Sequence, residues 1–330
     1  MKKFLTLAFV LANTLLFGQS KNFKKIYLDS LEHVTTEGNH KYYRIIKGDN
    51  MLQLMLPNSE YTDYYLDGQI KKEVVFNHEG GSRTNGTENE YYPSGKLKSQ
   101  TNLNSAHQQF GAFYSLYENG NKEIEGEFVK IKTDVVKEHI VLKILSYWDE
   151  NGTQKVTDGN GFMIEKGRKI DESSRGNVLN GLKTGIWTGF NATHKIQFAD
   201  QYESGIFIAG VSKDMNNNEH TYLEFDKLPG FRNEGMAGFT KFVQKNYVMP
   251  DLENTVRGRV FIEFSVDADS KVSDVKIMRG LHKKVDREAV RLIHYSSGLW
   301  TPGEYRGVKT KVRFTLPIVI DVEVNKYGLN

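Results

Sequence analysis

The stretch YYLDGQIK, residues 64–71, joins a pair of tyrosines to a polar turn and then to a lysine-containing run. Its Asp67-Gly68 pair supplies the positive backbone φ that a tight β-hairpin turn requires. The same arrangement recurs in YYPSGKLK (91–98), LYENGNKE (116–123) and YWDENGTQK (147–155). The turn glycines at positions 68, 95, 120 and 152 are 27, 25 and 32 residues apart, a period typical of repeat proteins. The sequence therefore predicts a series of β-hairpin repeats.

A further unit, NGLKTGIWTG (180–189), places two glycines around Trp187. These glycine and aromatic patterns resemble MORN-type repeats over roughly residues 57–210. The resemblance implies an elongated layer of hairpins that serves for binding or as a spacer, and it implies no chemistry. Trp148 and Trp187 have two interpretations: their ring faces stack on a sugar or peptide, or the rings pack within the hairpin layer.

Near the C-terminus the apolar pattern alternates between helical spacing and a period of two. Helical spacing over 236–247 and 285–293 predicts two helices, whereas alternation over 256–266, 272–278 and 308–320 predicts three strands. Pro317 cannot donate a ladder hydrogen bond, so the third strand is expected at the edge of the sheet. The order α-β-β-α-β predicts a small α+β domain with a three-stranded antiparallel sheet.

This segment, residues 235–322, resembles the C-terminal domain of TonB, the energy-transducing protein of Gram-negative envelopes. The residues on which this resemblance rests, and which we expect to have structural roles, include Pro250, Gly258, Trp300, Pro302 and Pro317. The resemblance implies that an extended receptor segment adds to the open sheet edge. By that analogy, four residues of the third strand flank the added peptide: Lys309, Lys311, Arg313 and Thr315. The alternative is that these charges only protect an exposed edge from aggregation.

The N-terminal stretch MKKFLTLAFVLANTLLFGQS has the charged start, apolar run and small residues of a signal peptide. We expect cleavage before Gln19 or Lys21 and a periplasmic or secreted mature protein. An Asn-rich break at Asp214–Glu219 is followed by Leu228-Pro229-Gly230, which we expect to form the linker to the last domain. The predicted multi-domain organisation is a signal peptide at 1–20, an N-terminal segment at 21–56, all-β hairpin repeats at 57–228 and the TonB-like domain at 229–325.

Composition removes several kinds of chemistry. Cysteine is absent, so no disulfide or thiolate metal site is available. The formal net charge of +3 becomes +1 once Lys2 and Lys3 are removed with the signal peptide, which is too balanced for nucleic acid as the main ligand. No histidine pair has metal-ligand spacing, and no motif of a catalytic nucleophile or phosphate-binding loop occurs. We expect no cofactor, no metal and no enzymatic activity.

The sequence thus favours an exported adaptor that binds an extended protein segment of the cell envelope, for which an outer-membrane receptor is one candidate. A second copy of the chain could use the same edge. A cell-wall or carbohydrate-binding repeat protein is the first alternative. A TonB-type energy transducer for outer-membrane transport is the second alternative. It is the less favoured one, because such proteins use a Pro-rich linker and the six prolines here are too scattered to form it.

Overall fold

The structure is a computed structural model of the 330-residue chain, and it describes residues 23–29, 32, 34–35, 37–38, 40–47, 60–79, 82–132, 138–166, 171–232 and 234–322. The signal peptide predicted at 1–20 and the last predicted domain residues, 323–325, lie outside the described residues. The chain divides into two compact units. Unit 1 comprises residues 1–95 and 103–108, and unit 2 comprises residues 96–102 and 109–330. The domain boundaries predicted from the sequence stay predictions.

Unit 1 is a run of antiparallel strands. These are β1 (Phe23–Leu28), β2 (Val34–Thr35), β3 (Tyr42–Lys47), β4 (Tyr61–Tyr65), β5 (Ile70–Glu79) and β6 (Ser82–Tyr91). β1 pairs with β2 and β3, and from β3 onward each strand pairs with the next. Val74, Phe76 and Leu103 form its buried cluster. The predicted turn between β4 and β5 is present, since the Tyr65 N–H donates to the Gln69 carbonyl at 2.8 Å.

Unit 2 begins with further antiparallel hairpins. Their strands are β7 (Leu97–Leu103, of which residue 103 belongs to unit 1), β8 (Gln109–Leu116), β9 (Lys122–Ile131), β10 (His139–Trp148), β11 (Gln154–Thr157), β12 (Asn160–Lys166), β13 (Glu172–Leu179), β14 (Leu182–Asn191), β15 (Ile196–Glu203), β16 (Ile206–Lys213) and β17 (Glu219–Tyr222). From β8 to β17, each strand pairs with the next in the chain. The predicted hairpin architecture is therefore observed.

The predicted turn glycines Gly68, Gly95, Gly120 and Gly152 all have a positive φ, between 78° and 91°. The Asn-rich break predicted at Asp214–Glu219 is the hairpin turn between β16 and β17, so it does not end the series of hairpins. The Asp214 carboxylate accepts hydrogen bonds from two backbone N–H groups within that turn, at 2.8 and 2.9 Å. An aspartate that bonds the backbone ahead of it stabilises a turn, which explains why this Asn-rich sequence is compact.

One face of strands β12–β17 carries the packed side chains, and we call it the inner face. Its residues are Met163, Trp187, Phe198, Asp200 and Tyr222. Three of its rings lie against glycines of neighbouring strands, with Trp187 over Gly176, Phe198 over Gly189 and Tyr222 over Gly210. A Cβ at any of these glycines would stand 2.2–2.4 Å from a ring atom. The glycines therefore let aromatic rings lie flat on the sheet.

The rest of unit 2 contains the two helices found among the described residues. The elements are β18 (Asp226–Lys227), β19 (Gly230–Phe231), α1 (Gly235–Asn246), β20 (Val256–Val266), β21 (Val272–Arg279), α2 (Lys283–Tyr295), β22 (Trp300–Thr301), β23 (Gly303–Tyr305), β24 (Val308–Thr310) and β25 (Val312–Val322). Strands β21, β20 and β25 form a three-stranded antiparallel sheet with β20 in the centre. The predicted order α-β-β-α-β is present here, with short strands added around it.

The core of this sheet lies between its central strand and the helices. Val260, Ile262 and Phe264 of β20 are fully buried, and the buried face of α2 packs against them. The Trp300 ring contacts Phe264 and donates from its Nε1 to Ser296 Oγ at the end of α2, at 2.9 Å. Of the other residues predicted to be structural, Pro302 is buried and Pro250 is half-buried. Gly258 lies where a Cβ would approach the Leu281 side chain to 2.7 Å.

The predicted single strand 308–320 is divided in two. Its first residues form β24, which pairs with β23 in a separate small sheet that also contains β18. The strand of the main sheet starts only at Val312. Arg306 and Gly307 both have positive φ, which is the geometry of a tight hairpin turn, so the chain folds back on itself before it enters the sheet. The segment 228–230, the predicted linker, is not a free one, because Gly230 pairs with Thr301.

Candidate partner-binding edge

Strand β25 has one paired side and one open side. Its ladder with β20 runs from Val312 opposite Val266 to Val322 opposite Val256, and no register shift interrupts it. β20 is already paired with β21 on its other side, and no described strand pairs with the outer side of β25. An open edge of this kind exposes unpaired N–H and C=O groups that can template a further strand. The predicted edge position of the proline-containing strand is therefore observed.

Pro317 fixes which residues of β25 direct their backbone outward. It lies opposite Phe261 within the regular ladder. Because proline has no backbone N–H, position 317 must be one whose backbone groups point away from β20. Every second residue shares that direction, which assigns Arg313, Thr315 and Val319 to the open side. The side chains of these three residues are exposed, whereas Ile318 is buried. An added strand would thus meet outward backbone groups and exposed side chains at the same positions.

The structure separates the four residues predicted to flank a bound peptide. Arg313 and Thr315 lie on β25, as expected. Lys309 lies on β24, which belongs to another sheet, so its assignment to the edge strand is wrong. Lys311 lies between the two strands and pairs with Asp274 at 2.8 Å and Asp267 at 3.2 Å. The hydrogen bond to Asp274 raises the pKa of Lys311.

Val319 is an edge residue that the sequence reading missed. It is 69% exposed and lies opposite Arg259, which is also exposed. The sequence could have shown this, because Val319 is separated from Arg313 and Thr315 by an even number of positions and therefore shares their side of the strand. The corrected edge therefore combines cationic, hydroxyl and apolar side chains: Arg313, Thr315, Pro317 and Val319, with Arg259 beside them.

The opposite edge of the sheet, formed by β21, is irregular. Its pairing with β20 contains two register shifts, and Asp274 within it has a φ of 52°. The Asp274 carboxylate also accepts a hydrogen bond from Ser265 at 3.1 Å. Bulges twist an edge and interrupt its ladder, so they disfavour the addition of another strand. Of the two edges, β25 is the one with regular geometry.

The two tryptophans predicted as alternative binding residues have different environments. Trp187 is fully buried over Gly176 and donates from its Nε1 to the Asn177 carbonyl at 3.1 Å. It cannot offer a ring face to a ligand, and the prediction of a binding role for it is wrong. Trp148 is half-buried, and the Lys122 ammonium lies 5.4 Å from its ring centroid. The packing interpretation therefore holds for Trp187.

The turn between β23 and β24 anchors this region to the inner face of the hairpins. The buried Arg306 guanidinium donates from Nη1 to both carboxylate oxygens of Asp200, at 2.6 and 2.5 Å, and from Nη2 to Glu172 at 2.9 Å. It also lies 3.6 Å from the ring centroid of Phe198. Charged groups this deeply buried require partners, and here both carboxylates face the same cation.

Two tyrosines complete the Arg306 cluster. Tyr222 donates its hydroxyl to Asp200, and Tyr305 donates its hydroxyl to Glu172. Burial, together with the hydrogen bond to Glu172, raises the pKa of Tyr305 to about 12. Burial alone would raise the pKa of Glu172, but the hydrogen bond from Tyr305 and the Arg306 charge lower it below its ordinary value. The cluster is therefore held with Glu172 ionised.

The sequence reading missed this cluster, although one signal was present. Asp200 has the same parity in β15 as Ile196 and Phe198, so the alternating pattern puts its carboxylate on the buried face. A buried carboxylate implies a cationic partner but does not say which one. Arg306 is 106 positions away in the chain.

Neither helix of the described residues is long and apolar enough to cross a bilayer. No group of three or more potential metal-ligating side chains occurs in the described part of the chain.

No protein-family model matches the sequence. No curated protein matches it either. Among solved structures, the chain is similar to the NMR solution structure of the Helicobacter pylori TonB C-terminal domain (residues 179–285 of that protein), at 17% sequence identity and a TM-score of 0.22. That match covers 28% of this chain and 91% of that chain.

Proposed function

We propose that this protein is an exported, non-enzymatic adaptor of the cell envelope that recognises an extended protein segment by adding it to the open side of β25. The partner pairs antiparallel or parallel with that strand and gains main-chain hydrogen bonds, while side chains at alternate positions provide selectivity. The signal-peptide pattern of residues 1–20 supports export to the periplasm or beyond. The resemblance of residues 235–322 to the TonB C-terminal domain supports the envelope role.

The observation that carries this proposal is the regularity of β25. Eleven residues pair with β20 without a bulge, and the outer side of the strand has no partner among the described residues. Natural proteins usually protect such an edge by bulges, cover or short length, as β21 illustrates here. A long and regular edge fits a surface that another strand must reach.

Site-specific photo-crosslinking tests this proposal in cells. A benzophenone amino acid replaces Val319 on β25 or, as the control, Lys276 on β21, whose side chain is also exposed. We expect a discrete adduct with an envelope protein from position 319 and none from position 276. No adduct at 319, or equal adducts from both edges, would contradict β-augmentation on β25.

A second pair of variants separates backbone pairing from side-chain contact. Thr315→Pro removes one outward N–H but no hydrogen bond to β20, because position 315 has the same direction as Pro317. We expect it to abolish the adduct at 319 while Thr315→Ala retains it, with unchanged thermal unfolding for both. Persistence of the adduct in the proline variant would show that the contact does not use the strand edge.

A further inference from the structure

The second face of the hairpin sheet in unit 2 carries apolar side chains that nothing covers among the described residues. Ile164, Arg175, Thr188, Ala199 and Val211 lie opposite one another in successive strands, so they share this side, which we call the outer face. Its large apolar side chains are 40–54% exposed: Phe162, Ile164, Ile186, Phe190 and Val211. A solvated sheet face normally carries polar residues at such positions.

The outer face is hollowed over β14–β17. A depression of about 640 Å³ lies there, and its lining includes Ile186, Ala199, Gln201, Ala209, Val211 and Leu223. The short side chains of Ala199 and Ala209 leave space above the sheet, and the Leu223 side chain in the same lining is 80% exposed. Small residues beneath and apolar residues around a hollow suit the insertion of one bulky apolar side chain, which is the usual form of a binding hot spot.

Arg175 lies two strands from Ala199 of the depression, whereas Glu224 is part of its lining. Lys227 and Glu304 also line the depression, and they pair with each other at 3.7 Å. Arg175 of β13 is exposed and makes no ion pair or hydrogen bond with any described residue. Glu224, just after β17, is also exposed and lacks such a partner within the described ranges. From β13 to β17 there are four interstrand steps of about 4.8 Å, or roughly 19 Å in all. Because Lys227 is paired with Glu304, the face has an unpaired positive charge at one end and an unpaired negative charge at the other.

We propose that the depression binds an extended segment of a partner protein that crosses β13 to β17. A bulky apolar side chain of the segment enters the hollow, a carboxylate faces Arg175, and a cation faces Glu224. At about 3.4 Å per residue, the two charges of the segment are about six residues apart. A concave surface pairs poorly with a second copy of itself, since two facing hollows leave an unfilled space. This site is separate from the β25 edge and does not depend on it.

Peptide selection tests the inference on the full mature chain. A phage library of random peptides serves as the probe, and the immobilised protein carries Thr315→Pro so that the β25 edge is blocked. We expect enriched peptides with one large apolar residue between an acidic and a basic residue. Ala209→Trp, which fills the hollow, should reduce their binding at least about tenfold. Ala112→Trp, an exposed strand position elsewhere in unit 2, should leave it unchanged.

Charge reversal supplies the decisive comparison. Arg175→Glu should reduce binding of the selected peptides about tenfold, and peptides in which the acidic residue is changed to lysine should regain it. No enrichment, enrichment without the two charges, or equal binding to Ala209→Trp would overturn the proposal. Sedimentation velocity of the unmodified protein tests whether a second copy of the chain occupies the outer face instead. A dimer that Arg175→Glu abolishes would assign the face to that second copy and overturn the proposal.

Discussion

At the scale of single residues, Arg306 links features that lie far apart in the chain. Its guanidinium bonds Asp200 and Glu172 and lies on the ring of Phe198, and its backbone carbonyl accepts from Ser212 Oγ at 2.7 Å. Burial would lower the pKa of Arg306, but the charges of Asp200 and Glu172 raise it. The removal of one member of such a cluster leaves an uncompensated buried charge, which costs more than the intact cluster contributes.

Glu172 makes the stability of unit 2 dependent on pH. Its pKa is lowered in the folded protein, against about 4.3 in an unfolded chain, so its contribution is complete above about pH 5 and is lost as the pH falls through the folded pKa. We therefore expect the difference in unfolding free energy between wild type and Glu172→Gln to shrink from pH 6 towards pH 3. Urea unfolding at several pH values measures this difference, and a constant difference would contradict the assigned role.

At the scale of strands, glycines and rings on adjacent strands act as pairs. A ring that lies flat over a glycine fills the space where a side chain would stand, so both residues are needed for the inner face to close. This explains why the hairpins repeat glycines together with aromatic residues. Trp187 lies over Gly176 and is buried in a cluster with Ile144, Tyr147 and Val156.

Gly189→Ala tests this packing. The added Cβ would stand 2.2 Å from the Phe198 ring and 2.4 Å from the Ser173 carbonyl oxygen, so the ring or the strand must shift. We expect the variant to lose about 1–3 kcal/mol of unfolding free energy, the usual cost of overpacking. Gly230→Ala is the matched control, because its nearest neighbouring atom would be 3.9 Å away, and we expect a change below about 1 kcal/mol. Equal effects in urea unfolding would show that close approach to the ring does not matter.

At the scale of the folded unit, the Arg306 cluster couples the hairpins of unit 2 to the sheet that carries β25. The hairpin of β23 and β24 reaches the inner face, and the chain continues from it directly into β25. His194 stacks on Tyr305 with ring centroids 4.4 Å apart, which adds to the same contact. The cluster thus joins the hairpins to the turn that precedes β24 and β25 in the chain.

Arg306→Ala should weaken this coupling. We expect it to cost about 3–5 kcal/mol, since Asp200 and Glu172 would lose their shared cation. Hydrogen exchange read by mass spectrometry should show faster exchange in 303–310 and in β15, with a smaller effect on β20. Lys311→Ala, which removes the exposed ion pairs with Asp274 and Asp267, is the control and should cost at most about 1 kcal/mol. Uniform acceleration throughout unit 2 would show that the cluster contributes only to global stability.

Much of the candidate edge was predictable. The alternation of β25 and the presence of Pro317 predicted an edge strand, because both depend on properties of neighbouring residues. The position of Lys309 was not predictable. Apolar and polar residues alternate without interruption from Val308 through Thr310 into β25, so the sequence does not show that β24 belongs to a different sheet. The ion pairs of Lys311 with Asp267 and Asp274 likewise depend on where β21 lies.

The amino-acid sequence by itself determined the hairpin turns and the order α-β-β-α-β, because turn glycines, period-two strands and helical stripes act through residues close together in the chain. Only the tertiary structure decided that the third strand breaks at Lys311, that Trp187 is buried, and that Arg306 meets Asp200. It alone also decided which face of the hairpins stays open. These features depend on strand register and on contacts between distant residues, and local periodicity carries no information about either.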